Sequence, residues 1–217
     1  MAVDRPAAPP HRRRILFGRR QGRRLRAAQK TQLDDYLAKI GFAVPSGGGL
    51  DPGSLFAGPP DGVWVEIGFG SGEHLAHQAS AHPRRGYIGC EPYLNGVARL
   101  VTAIDHARLE NIRINTGDGR ELLAALPALS IAGAFLLFPD PWPKTRHHKR
   151  RFVQPETLDH LARILCDGAA FVFATDHMEY LRWTLARVLG HGAFDWPAQG
   201  PRDWRRPDDV PATRYEA

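Results

Sequence analysis

Sulfur is scarce in this chain of 217 residues, which has two cysteines and two methionines. Cys90 and Cys166 stand far apart, and neither has a Cys or His at metal-ligand spacing. That argues against a disulfide framework and a zinc site, and no metal is expected; two reduced thiols in a cytoplasmic protein fit instead. Long apolar runs are lacking too. None approaches the roughly 20 residues of a membrane span, so no membrane partner is expected. The basic N-terminus is not followed by an apolar segment and cleavage site, so no secretory leader is expected. Acid is nearly missing from residues 1–30, where Asp4 faces ten Lys/Arg for a net charge of +9, leaving −3 of the overall +6 for the rest. A slightly acidic body with a basic arm suggests a polyanion partner, although a targeting peptide or plain tail would look similar.

What is present is organised in repeating units. Hydrophobic residues at 43% and charged residues at 24% suit one soluble domain with a full core. Residues 1–30 read as a flexible, basic, RNA-binding arm, and 31–62 as the rest of a short helix plus a connector. That helix spans Gln29 to Ile40, with Leu33, Leu37 and Ile40 on one face and Gly41 as its stop. The compact domain is expected over 63–217. Strands are predicted at 63–67, 86–91, 112–115, 132–138 and 169–175. The intervening helices are predicted near 73, at 94–106, up to 126, at 157–166 and at 177–189. Such alternation predicts an α/β fold with a doubly wound, mostly parallel sheet. Residues 194–196 and 213–216 are two further strand candidates.

Glu66, Glu91, Asp118, Asp140 and Asp176 all fall within or just past the C-terminal end of a predicted strand, the edge where open α/β sheets bind ligands. A hydroxyl-rich, amine-bearing or cationic ligand suits that edge. Gly68, Gly70 and Gly72 are spaced G-x-G-x-G, not the G-x-G-x-x-G of the dinucleotide fingerprint. Glu91, at the end of the next strand, suits ribose hydroxyls in either a NAD enzyme or an S-adenosylmethionine enzyme. After the fourth strand, Phe138-Pro139-Asp140-Pro141-Trp142-Pro143 forms a stiff loop. Five Lys/Arg and two His follow over 144–151. A solvated charge cluster would explain that run alone, but it would leave the neighbouring acid and aromatic ring unexplained.

The stretches Glu66 to Gly72, Phe138 to Arg151, Ala174-Thr175-Asp176 and Thr213-Arg214-Tyr215-Glu216 together resemble the bacterial tRNA (guanine-N7-)-methyltransferase family. Gly18 to Arg23 of the arm is similar as well. Two departures are modest: Cys90-Glu91-Pro92 where the family more often has Ile-Glu, and Pro143 where His is frequent. The resemblance implies a Rossmann-like S-adenosylmethionine-dependent methyltransferase fold acting on tRNA. It implies Glu66, the three glycines, Glu91, Asp118 and Asp140 around S-adenosylmethionine, with Asp140 at the reaction centre. It implies Lys144, Asp176, Thr213, Arg214, Tyr215 and Glu216 on the substrate nucleoside. Arg146, His147, His148, Lys149, Arg150 and Arg151 would contact the RNA.

Guanine N7 carries a lone pair and no proton, so its methylation needs alignment and a stabilising negative charge more than a base. An oxidoreductase would share the glycine loop and Glu91 but has no use for the arm. A non-catalytic RNA-binding protein would leave the acidic edge idle. Enzymes that methylate an exocyclic amine often carry Asp/Asn-Pro-Pro-aromatic, whereas Trp142 here follows a single proline. Whether Trp142 stacks on the base or packs in the core stays open, as does the oligomeric state.

Overall fold

The computed structural model describes residues 20–205. Within them, five strands form one parallel sheet in the order β3-β2-β1-β4-β5. The strands are β1 (Val63–Ile67), β2 (Gly86–Cys90), β3 (Ile112–Asn115), β4 (Ile131–Leu137) and β5 (Leu165–Ala174). The helices are α1 (Ala27–Ile40), α2 (Glu73–Ala81), α3 (Leu94–Ala107), α4 (Gly119–Ala125), α5 (Pro155–Ile164) and α6 (Met178–Leu189). The chain reverses direction across the sheet between β1 and β4, which makes their carboxyl ends the topological switch point.

The four strands β1 to β4 set side chains into two buried layers, while β5, at the edge of the sheet, is largely exposed or half-buried. Val65, Ile67 and Ile88 face a core built with α4, α5 and α6. Phe135, Ile112 and Ile114 face a second core built with α1, α2 and α3. In α3, Val97, Leu100, Val101 and Ile104 recur at helical spacing and are all buried. The expected α5 runs two residues too far and the expected β5 begins four residues too late. The helix stops because Leu165 is already extended and pairs with Ile131 across a register shift. Leu165 is apolar in either role, so periodicity alone does not separate them.

Residues before Val63 pack onto the sheet. Leu33 of α1 is buried in the second core and Leu50 in the first. Gly41 bridges to Ile114, and Asn115 donates to the Phe42 carbonyl at 3.0 Å.

One strand expectation needs correction. Phe194–Trp196 is not a strand: the Phe194 ring packs against Phe171 and His191 instead. Its apolar side chain is satisfied by β5 and the end of α6 without any backbone ladder. The other candidate strand, Thr213–Glu216, and most of the basic arm lie outside the described residues.

Candidate active site

Register brings the acids together. Ile67 pairs with Cys90 and with Leu136, Cys90 pairs with Asn115, and Leu137 pairs with Ala174. The residues that follow, Gly68, Glu91, Asp118, Asp140 and Asp176, therefore leave the sheet along one edge.

The glycine loop is built for close approach. Gly68, Gly70 and Gly72 all have positive φ, and a Cβ on Gly68 would meet nothing within 4 Å. A Cβ on Gly72 would run into Leu100 of α3. Glu91 ties this loop down. Its Oε2 accepts from the Gly70 N–H at 2.8 Å and its Oε1 from the Tyr93 N–H at 2.9 Å. Burial raises the Glu91 pKa, the two N–H bonds oppose that, and the nearby Asp140 charge raises it further. Glu66 stands behind the loop. Its buried carboxylate is 2.7 Å from His74 Nδ1 in α2, and the His74 ring meets Phe135 edge-on.

Asp118 caps α4. Its Oδ1 accepts from the Arg120 backbone N–H at 2.9 Å and from the guanidinium at 3.1 Å. Its Oδ2 is buried with no protein partner. An unpartnered Asp118 oxygen and the Glu91 carboxylate after the neighbouring strand are acceptors of the kind an adenosine's amine and hydroxyls need, so these residues suit S-adenosylmethionine.

The Asp140 loop is strained. Phe138 and Trp142 have φ of 48° and 43°, the left-handed region, at about 1–3 kcal/mol each. Asp140 is exposed at the tip, and the protein atoms around its carboxyl still raise its pKa by desolvation. Trp142 is half-buried and packs within its own loop: the Arg150 guanidinium lies 4.9 Å from its ring and His147 meets it edge-on at 5.9 Å.

The basic run splits into two groups. Lys144, Arg146 and Lys149 are exposed, on or beside a 3-10 turn at Thr145–Arg150. Desolvation and the cations Arg150, Arg146, Lys144 and Lys149 lower the His147 pKa. Arg151 and His148 depart from the RNA-facing expectation. Arg151 is 0% exposed; its Nε donates to the Pro141 carbonyl and its Nη2 to Glu179. His148 lies 3.3 Å from the same Glu179 carboxylate, edge-on to Trp183. A run of charge reads as solvated in sequence, yet the aromatic rings of α6 take one end of it inward.

Sequence reasoning also missed His74 and Gly96. A Cβ on Gly96 would sit 1.9 Å from the Gly70 carbonyl, so only glycine lets α3 touch the loop this closely. A lone glycine inside a helical pattern was the available signal. Nothing in the sequence marked His74. Asp176 is exposed beyond β5 and Lys144 beyond the Asp140 loop; Thr213, Arg214, Tyr215 and Glu216 fall outside the described residues. Among the described residues, no cluster of three or more His, Cys, Asp or Glu could hold a metal ion. No helix there is long and apolar enough to cross a membrane.

A glycine loop after the first strand, at the switch point of a parallel sheet, with a carboxylate after the second strand and another before the fourth helix along the same edge, defines a Rossmann-like domain of the methyltransferase class. Residues 61–217 match the family model described as "Putative methyltransferase". Over 214 residues the chain is 52% identical to the tRNA (guanine-N(7)-)-methyltransferase of Roseobacter denitrificans, covering 95% of this chain and 90% of that one. The Rhodospirillum rubrum protein of the same name is 48% identical over 206 residues, covering 93% and 81%. Among solved structures, the 16S rRNA methyltransferase KamB aligns at 17% identity and a TM-score of 0.47, covering 61% of this chain and 69% of that one. The chain belongs to the tRNA (guanine-N(7)-)-methyltransferase family.

Proposed function

We propose that this protein transfers a methyl group from S-adenosylmethionine to N7 of a guanosine in the variable loop of tRNA, giving 7-methylguanosine. The observation that carries the reading is the shared edge: Glu91, Asp118 and Asp140 leave the carboxyl ends of strands on either side of β1 and its glycine loop, beside a loop of exposed cations. When bound, S-adenosylmethionine supplies an electrophilic methyl group on a sulfonium.

The protein's part is to bind, orient and stabilise charge. Glu91 accepts from ribose hydroxyls, sharing or exchanging its bonds to Gly70 and Tyr93. The Asp118 Oδ2 accepts from an exocyclic amine. Asp140 faces the incoming guanine and offers negative charge where positive charge develops on the purine. As an acceptor it also selects the N1–H and N2–H₂ edge of guanine. Lys144 and Asp176 contact the nucleoside, together with Thr213, Arg214, Tyr215 and Glu216. Arg146, His147, Lys149 and Arg150 meet the phosphates, and the N-terminal arm adds non-specific attraction. The reading places the enzyme in the cytoplasm with its tRNA.

The test is incubation with labelled S-adenosylmethionine and unmodified tRNA, followed by nucleoside mapping. Label in 7-methylguanosine is expected. Label on an exocyclic amine, or binding of NAD without binding of S-adenosylhomocysteine, would overturn the reading.

A further inference from the structure

We infer that Arg151 is a positioning residue that holds the Asp140 loop, by the Pro141 carbonyl, against the start of α6 from inside the core. The inference deepens the reading of Asp140 as the reaction-centre carboxylate and rests on it.

The loop that carries Asp140 has a left-handed residue on each side, Phe138 and Trp142, and neither is glycine. Such a segment persists only where its surroundings over-determine it. Two pins do so. On one side the Phe138 N–H donates to the Ala174 carbonyl at 2.8 Å. On the other, Arg151 Nε donates to the carbonyl of Pro141, the residue after Asp140, at 2.8 Å. The same guanidinium reaches Glu179 in the first turn of α6 at 3.1 Å. Its plane is held over Tyr180 and Trp183, 5.1 and 4.8 Å from their centroids. Tyr180 Oη in turn accepts from the Phe152 and Val153 N–H groups, so the same turn of α6 also fixes the two residues that follow Arg151.

Chemistry says why this is arginine. A planar fork aims two donors in different directions from one rigid group, which a lysine ammonium does not. Burying the cation is expensive: its Nη1 has no protein partner and Glu179 is half exposed. An apolar side chain would fill the space without that cost but would leave the Pro141 carbonyl unheld.

The experiment uses full-length Arg151→Lys and Arg151→Met. Single-turnover methylation at saturating S-adenosylmethionine and tRNA should fall about 10–100-fold, the scale of a small misplacement of a reacting group. S-adenosylhomocysteine affinity, tRNA affinity and its salt slope should hold. Amide exchange over 136–145 should accelerate while the rest of the sheet stays protected. Adding Arg151→Met to Asp140→Asn should cost little more, because both act through one group. If Arg151→Met fails to fold, Arg151→Lys and the milder Glu179→Gln carry the same measurements. Weaker tRNA binding with a salt slope smaller by about one would make Arg151 an RNA contact and overturn the proposal. So would normal turnover in a folded variant, or full additivity with Asp140→Asn. Normal turnover of Asp140→Asn alone would instead remove Asp140 from the chemistry, and unchanged exchange over 136–145 would then overturn the clamp by itself.

Discussion

At Asp118 the fold uses one carboxylate oxygen and leaves the other unpaired. Oδ1 caps α4, whereas Oδ2 is buried without a protein partner. Asn is as good an N-cap as Asp, so Asp118→Asn keeps the cap and replaces the second acceptor by a donor. Cofactor affinity should drop by about 1–3 kcal/mol, since a buried amine then meets another donor. Calorimetry with S-adenosylhomocysteine measures this, and the melting temperature should stay close to that of the parent. At Asp140 the expected loss is in turnover. Asp140→Asn should slow single-turnover methylation about 10²–10³-fold, the scale for one preorganised electrostatic group. Desolvation raises the Asp140 pKa in the folded state. Its stabilising contribution is therefore complete below the unfolded pKa and is lost as pH rises through the folded one. At pH 7 Asp140→Asn should accordingly melt no lower than the parent, and any advantage should vanish on acidification. A melting temperature that falls together with activity would assign Asp140 to the loop's structure instead.

The first turn of α3 is where several elements meet. Gly96 touches the glycine loop, Arg99 donates to Ser71, and Glu91 and Tyr93 close the turn from below. The same turn holds the root of the arm. Leu94 N–H donates to the Arg20 carbonyl, Gly22 N–H to Asn95 Oδ1, and Asn95 Nδ2 to the Arg23 carbonyl. Asn95→Ala removes two of these bonds without touching a cation. Expected is a loss of tRNA affinity of about 1–3 kcal/mol, from two bonds at the usual net value, with the salt slope unchanged. Filter binding across a salt series reports both quantities. At this scale the sequence was most legible where one physical signal stood alone. β1 and β3 were predicted with their observed bounds because each is a short stretch rich in β-branched residues and closed by glycine or turn residues. The 164–169 boundary was not legible, because Leu165 serves a helix face and a strand equally well. Arg151 was not legible either: its partners Pro141, Glu179, Tyr180 and Trp183 come from two elements that only the fold brings together. Gly22, Asn95 and Gly96 are small or polar residues whose role lies in backbone contact, which leaves no periodic trace.

Across the whole molecule, charge is sorted by task. The sheet edge proposed to receive the sulfonium carries acids, and the two densest runs of cations are the 144–151 stretch and the first thirty residues. The arm holds ten Lys/Arg against one acid, divided equally between residues 1–19 and 20–30. The second group begins where the backbone is hydrogen-bonded to α3. Two truncations therefore separate charge from anchoring. Deleting residues 1–19 removes five Lys/Arg and leaves the hydrogen bonds of Arg20 to Arg23 with α3 in place. For every phosphate that this deletion leaves without its cation, the slope of log K against log salt should shrink by about 0.7–0.9. Binding should weaken most at low salt, while the melting temperature and S-adenosylhomocysteine affinity hold. Deleting residues 1–24 also removes the partners of Leu94 and Asn95 at the start of α3. That truncation should flatten the slope further and lower the melting temperature as well, because the Leu94 N–H then has no acceptor. A salt slope unchanged by either truncation would take the arm off the RNA. A melting temperature lowered equally by both would show that residues 1–19 support the fold as much as the root does.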